Sequence, residues 1–425
     1  MSNLLITKGR IIDPSQQLDF IGDILISNGI IQEVAKKITP PQNTKTLNAN
    51  NCIVMPGLID MHVHLREPGE EYKETIESGT KAACAGGFTA VACMPNTKPV
   101  NDNVTVTKFI LDKANEAGNA TVLPIAAATV GQKGATLTEM GDLLNAGAVA
   151  FSDDGLPIQD ASMMRLILEY SRNFNALIIS HSEEPSLSKG GCMNEGIVST
   201  QLGLKGIPSA CEEIAIFRDI TLAALTGARL HIAHISTKGG VELVRQAKAK
   251  NIKVTAETAP HYFSLTENEV KGFNTNAKMN PPLRTEEDRL AIIEGLKDGT
   301  IDAIATDHAP HSSLEKDCEF EKAANGIIGL ELALPLTLQL VRDGYITLNR
   351  MATLLSSNPA KILGIERTIK KGYNANLTII DPDKEITVSR ETLYTKSLNT
   401  PFLGQTLKGV AITTIINGRV AFERE

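Results

Sequence analysis

The spacing of apolar residues changes twice along the 425-residue chain. Over residues 1–54, short β-type runs at 4–7, 23–27, 30–34 and 46–47 are separated by polar turns, among them Asp13-Pro14 and Asn28-Gly29. Asn28-Gly29 between Ile-rich runs predicts a hairpin. From residue 55 the pattern becomes apolar runs of strand length alternating with helical periodicity. Strands are predicted at 57–64, 88–94, 121–127, 148–152, 176–181, 229–234, 253–257 and 302–306. Helix-like segments lie between most of them, at 72–85, 104–117, 162–173, 211–226, 240–250 and 286–296. Thr285-Glu286-Glu287-Asp288 supplies an N-cap with acidic residues in the first turn of the last helix. After about residue 365, strand character returns at 375–380, 386–388, 410–416 and 419–422, with turns at Asp381-Pro382 and Asn417-Gly418.

Eight strand–helix alternations in about 300 residues predict a (β/α)8 TIM-type barrel. The β-rich ends predict a small β-sandwich domain made from the N- and C-terminal segments together, since domain termini often lie close. The expected division is 1–54 with 366–425 for the β domain and 55–365 for the barrel.

Composition narrows the function. Hydrophobic residues make up 42% and charged residues 21%, ordinary for a globular chain. The net charge is −7 with no basic block, which argues against nucleic acid. No apolar run approaches the ~20 residues of a membrane span, and the first residues lack the pattern of a signal peptide. Six scattered cysteines without a CxxC pair read as free thiols, so a cytoplasmic protein is expected.

The candidate chemistry lies in eight histidines. His62 and His64, one residue apart at a strand end, point to one side and can ligate one metal ion. Arg66 continues on that side if the extended conformation persists. His181 and His234 end strands five and six, Asp153-Asp154 follows strand four, and Asp307 follows strand eight. Barrel active sites form at that end of the strands. Four imidazoles and two carboxylates exceed one zinc shell and suit two divalent ions sharing a carboxylate, with a water or hydroxide between them. Neighbours on an extended segment face opposite ways, so only one of Asp153 and Asp154 can be the bridge, and the residues alone do not choose. His231 reads as a packing residue or a partner of a ligand, and His308 as such a partner. His261 lines the pocket or is structural. The polar stretch 311–325 is either a lid or a solvated loop.

Asp60-Met61-His62-Val63-His64-Leu65-Arg66-Glu67-Pro68-Gly69, Met94-Pro95-Asn96-Thr97 and Ser152-Asp153-Asp154-Gly155 resemble the signatures of bacterial class I dihydroorotases, in the amidohydrolase superfamily. So do His234-Ile235-Ser236-Thr237-Lys238, Glu257-Thr258-Ala259-Pro260-His261, Lys278-Met279-Asn280-Pro281-Pro282-Leu283-Arg284 and Ala305-Thr306-Asp307-His308-Ala309-Pro310-His311. The likeness runs the length of the chain. It implies zinc-dependent, reversible cyclisation of N-carbamoyl-L-aspartate to L-dihydroorotate in pyrimidine biosynthesis. It implies two zinc ions per subunit, one on His62, His64, Asp154 and Asp307, the other on His181 and His234, with Asp154 bridging. It implies Asp307 as the proton shuttle. Arg66, Asn96 and His311 would bind the substrate carboxylate, Asn280 the ring amide, and Asn325-Gly326 the ring through backbone contacts. Alternatives are a dihydropyrimidinase, hydantoinase or allantoinase, or a silent partner subunit of aspartate transcarbamoylase. The first three bridge their metals, as a family pattern, with a carboxylated lysine on strand four, and Ala148-Val149-Ala150-Phe151-Ser152 has none. The partners left open are a second copy of the chain and aspartate transcarbamoylase.

Overall fold

The computed structural model of the protein describes residues 3–424, so residues 1, 2 and 425 of the two predicted termini lie outside it. Eight parallel strands follow one another around a barrel: Leu58–Val63, Phe88–Cys93, Thr121–Ala126, Ala150–Ser152, Leu177–Ser180, Arg229–Ile232, Val254–Thr258 and Ala303–Ile304. Each neighbouring pair is in parallel register. First and eighth strands meet through a parallel bridge between Val63 and His308, with the His64 amide donating to the His308 carbonyl at 2.8 Å. All eight predicted strands are present, each shifted by no more than a few residues.

Alternation along these strands separates two apolar layers. In the fifth strand Leu177 and Ile179 join an inner cluster with Ile59, Ala90, Ile125, Ala150 and Ala303, into which Ile362 and Leu363 of the helix Asn358–Leu363 also pack. Ile178 instead faces the outer layer, where Phe88, Phe151, Leu230 and Ile304 pack against Ile110, Ile167, Ile216, Val244 and Ile292. Those partners sit on Val104–Ala117, Ala161–Ser171, Ala210–Thr226, Lys238–Ala249 and Glu286–Asp298. The last helix starts where expected: Thr285 and Asp288 form a reciprocal capping box. The first helix begins at Ile76, four residues later than its pattern predicts, because Thr75 takes the cap.

Both chain ends enter one sheet, in the order Arg419–Glu423, Thr406–Ile416, Leu377–Thr387, Ile53–Pro56, Asn3–Asp13, Leu18–Ser27, Ile30–Ala35, with Lys45–Asn48 paired to Asn3–Asp13. The hairpin at Asn28-Gly29 forms, with both residues at positive φ. The sheet folds back on itself: the Ile31 amide donates to the Tyr373 carbonyl and the Ala375 amide to that of Gly29. Its enclosed core draws on Leu4, Ile11, Ile24 and Ile31 from one end and Leu377, Ile379 and Ile415 from the other. The predicted runs 375–380 and 386–388 are one strand, Leu377–Thr387, whose pairing with Thr406–Ile416 is interrupted by a bulge. Residues 389–405 leave this sheet and pack at the barrel mouth: the Tyr394 and Thr395 amides donate to Glu331, and Asn399 bonds to the loop after the eighth strand.

Candidate metal centre

Asp154 stands at the middle of the barrel mouth. Its carboxylate lies 3.4 Å from His62 Nε2, 3.5 Å from His64 Nε2, 3.5 Å from His181 Nδ1 and 3.6 Å from His234 Nε2. Asp307 adds Oδ1 at 3.0 Å from His64 Nε2 and 3.5 Å from His62 Nε2. Two clusters of ligand atoms result, His62–His64–Asp154 and Asp154–His181–His234, with Asp154 common to both. Asp153 turns the other way. It accepts from the amides of Ala128 (2.9 Å) and Thr129 (3.1 Å) and from the Thr129 hydroxyl, tying the fourth strand to the loop after the third.

The donor set fits divalent metal. His62 Nε2 and Asp154 Oδ1 are buried without a hydrogen-bond partner, an arrangement that a cation between them would satisfy. His181 Nδ1 and His234 Nε2 face each other at 2.9 Å. Electrostatics agree. Burial lowers the pKa of an imidazole, yet Asp154 and Glu183 push that of His181 up to about 10, and Asp154, Glu257 and Asp307 hold that of His62 well above its usual value. Burial raises the carboxyl of Asp307, but His64, His62 and His234 draw it down to about 2. The negative potential that favours protonated imidazoles here would equally favour a cation in place of those protons.

Three site residues sit in left-handed backbone: Arg66 (φ 63°), His234 (φ 34°) and Asp307 (φ 49°). Non-glycine residues hold that conformation only where their surroundings impose it. Arg66 therefore does not continue the strand, as an extended conformation would require. It reaches the mouth from a turn, with Nε donating to the Pro310 carbonyl (3.1 Å) and Nη2 3.3 Å from His311 Nε2. Burial and the charges of Arg66, Lys73 and Lys316 push His311 down to about 3, so its ring is neutral. Its Nε2–H donates to the Asn325 carbonyl at 2.8 Å. Asn96 accepts from His64 Nδ1 at 2.9 Å, which turns its amide NH2 toward the cavity. Asn280 donates to Glu183 at 2.7 Å. Gly326 (φ 144°) must be glycine: a Cβ there would lie 2.8 Å from Ala309.

Arg66, Asn96, Asn280, His311, Asn325 and Gly326 line one cavity of about 210 Å3, together with His64, Asp154, His181, His234 and Asp307. His62 lies beneath it, fully buried. The residues assembled from strand ends one, four, five, six and eight thus meet in space. His261 is buried against Tyr262 and does not line this cavity. His231 is bonded to Thr255 (2.8 Å) and lies 3.2 Å from Glu257, and His308 reaches Glu74 at 3.4 Å.

The sequence reading missed three residues. Glu257 Oε1 is 2.9 Å from His62 Nδ1, so it fixes the ring of a ligand histidine. Its signals were a carboxylate near a strand end and its place in the Glu257-Thr258-Ala259-Pro260-His261 signature, neither of which assigned it a role. Glu183 holds His181 in the same manner. Asn399 binds the His311 amide (3.0 Å), the Ala309 carbonyl (2.9 Å) and the Gly326 carbonyl (3.1 Å). It comes from the C-terminal segment, where nothing local marks it. The stretch 311–325 carries a short helix, Ser313–Lys316. Lys316 Nζ donates to the carbonyls of Thr275 (3.0 Å), Lys278 (3.0 Å) and Ala324 (2.7 Å), which fastens this loop across the mouth.

Known proteins share this architecture. An L-hydantoinase (dihydropyrimidinase) from Arthrobacter aurescens superposes with a TM-score of 0.89 at 24% identity, covering 100% of this chain and 96% of its own. A D-hydantoinase (dihydropyrimidinase) from Thermus sp. gives 0.84 at 24%, covering 99% and 95%. Those likenesses speak to the fold. The family profile described as Dihydro-orotase-like matches residues 51–240. Proteins named dihydroorotase from Geobacter metallireducens and Pelobacter propionicus are 56% and 54% identical, each over 99% of this chain and 100% of the relative. With more than half of its residues shared over its whole length, the chain belongs to the dihydroorotase family.

Proposed function

We propose that this protein is a metal-dependent cyclic-amide hydrolase that interconverts L-dihydroorotate and N-carbamoyl-L-aspartate, a step of pyrimidine biosynthesis. The observation that carries the reading is one cavity lined by Asp154, which stands between four imidazoles, and by Arg66. An arginine fork suits a substrate with a free carboxylate. Asp154 occupies the central position, and the fourth strand has no lysine to take it.

His62, His64, Asp154 and Asp307 would hold one divalent ion, and His181, His234 and Asp154 the second. Imidazole with carboxylate favours zinc. When bound, the ions supply Lewis-acid polarisation of the ring carbonyl and a nucleophile at neutral pH. The chain's own residues do the rest. Arg66 and the NH2 of Asn96 hold the substrate carboxylate, beside the uncharged His311. Asn280 and the backbone of Asn325-Gly326 hold the ring. Asp307, ionised at neutral pH, takes the proton released as water adds to the carbonyl and passes it to the ring nitrogen as the C–N bond breaks. Ring closure runs these transfers backwards: Asp307 accepts the proton from the carbamoyl nitrogen as it attacks.

A cytoplasmic location is part of the reading: none of the six cysteines is paired. Among the described residues no helix is long and apolar enough to cross a membrane. A homodimer and a complex with aspartate transcarbamoylase are the assemblies that the family likeness raises. The test is metal content measured together with turnover of L-dihydroorotate, dihydrouracil and hydantoin. Two ions per chain and turnover confined to dihydroorotate are expected. Preferential turnover of hydantoin or dihydrouracil would refute the substrate assignment.

A further inference from the structure

Glu183, two residues beyond His181, stands between a metal-ligand candidate and a substrate-binding candidate. Its Oε2 is 3.1 Å from His181 Nε2 and 2.7 Å from Asn280 Nδ2. Its Oε1 accepts from the Ser188 hydroxyl. We propose that Glu183 is a positioning residue that sets the tautomer of His181 and the amide orientation of Asn280 at once, coupling the second metal position to recognition of the substrate ring. The proposal rests on reading the site as a cyclic-amide hydrolase centre.

The reasoning follows from donor and acceptor counts. A carboxylate only accepts, so His181 must carry its proton on Nε2. Its Nδ1, which faces Asp154 and His234, then presents a lone pair to a cation. The same carboxylate forces Asn280 to turn its NH2 toward Glu183, leaving Oδ1 as an acceptor on the cavity side. An acceptor there suits the N–H of a dihydropyrimidine ring. Both bonds end on one oxygen, so rotation of the Glu183 carboxylate disturbs the metal side and the substrate side together. Glutamine can keep an acceptor oxygen at that point while its NH2 meets Ser188, whose hydroxyl can reverse its bond. Alanine can do neither.

The experiment titrates Zn2+ against a chromophoric chelator in the wild-type protein and in Glu183→Ala, Glu183→Gln and Asn280→Ala, and measures KM and kcat for dihydroorotate. Glu183→Ala should weaken one of the two Zn2+ sites by ~10–100-fold, the usual effect of removing the partner of a metal-binding histidine. It should also raise KM, while Glu183→Gln restores most of both. Asn280→Ala should raise KM with both Zn2+ sites intact, and should add little in the Glu183→Ala background. Wild-type Zn2+ affinity in Glu183→Ala, or additive effects of the two alanine substitutions on KM, would overturn the proposal. The Zn2+ titration does not depend on the substrate: a wild-type protein inactive on dihydroorotate would defeat the functional reading and leave the His181 half of the proposal to be judged on the titration.

Discussion

Arg66 and His62 sit four residues apart, and their substitutions should fail in different ways. His62 is fully buried beneath the cavity, with Nε2 aimed at Asp154 and Asp307 and Nδ1 bonded to Glu257. His62→Ala should lose metal and activity together, as assayed by elemental analysis and turnover. Among the described residues the Arg66 side chain bonds no metal-ligand candidate; it donates to the Pro310 carbonyl and lies beside His311. Arg66→Ala should keep its metal and raise KM by ~10–100-fold, since a charge-assisted bond contributes ~1.5–3 kcal/mol. Metal loss in Arg66→Ala would move that residue out of the substrate pocket. At this scale the histidine pair was legible because side-chain direction repeats every second residue in a strand. Residue spacing did not choose between Asp153 and Asp154; the family resemblance named Asp154. Both carboxylates follow the same strand, and only the amides of Ala128 and Thr129, contributed by a different loop, claim one of them.

Helices and strands were read well where their signals are local. The capping box at Thr285 and the hairpin at Asn28-Gly29 depend on residues within four positions of one another. The segment 389–405 carries no comparable signal, yet it braces the mouth through Glu331 and Asn399. Glu331 gives this brace a pH dependence. Its Oε1 accepts from the amides of Tyr394 (2.8 Å) and Thr395 (3.1 Å), and its Oε2 is buried without a partner. Burial, with the nearby carboxylate of Glu74, pushes it up to about 7 against the pull of those two amides and of Arg424. Unfolded, the group titrates near ~4.3. Between these values the folded chain holds a proton that the unfolded chain has released, so stability falls as pH rises through this window and stays low above it. Glu331→Gln should therefore raise the melting temperature at pH 8, by ~2 °C, and much less at pH 5. Equal shifts at both pH values would refute this account.

The barrel encloses an inner core, and the folded-back sheet encloses another. The candidate metal centre lies at the open end of the first, where the chain gathers buried carboxylates and imidazoles around one point. Stripping metal with a chelator should lower the melting temperature, and restoring Zn2+ should recover it. A ligand at a hundred times its dissociation constant stabilises the folded state by ~2.7 kcal/mol. An unchanged melting temperature on chelation would mean that the centre is not a metal site. The sequence by itself determined the barrel, the sheet built from both ends, and the kinds of residue at the strand ends. Periodicity and turn chemistry act between near neighbours, so they survive in one dimension. Only the tertiary structure decided where Asp153 turns, how Arg66 enters from a turn, and that Glu183, Glu257 and Asn399 hold the site in place. Those outcomes depend on closure, which brings His64 within 3.0 Å of a carboxylate 243 positions away. No spacing along the chain encodes a distance of that kind.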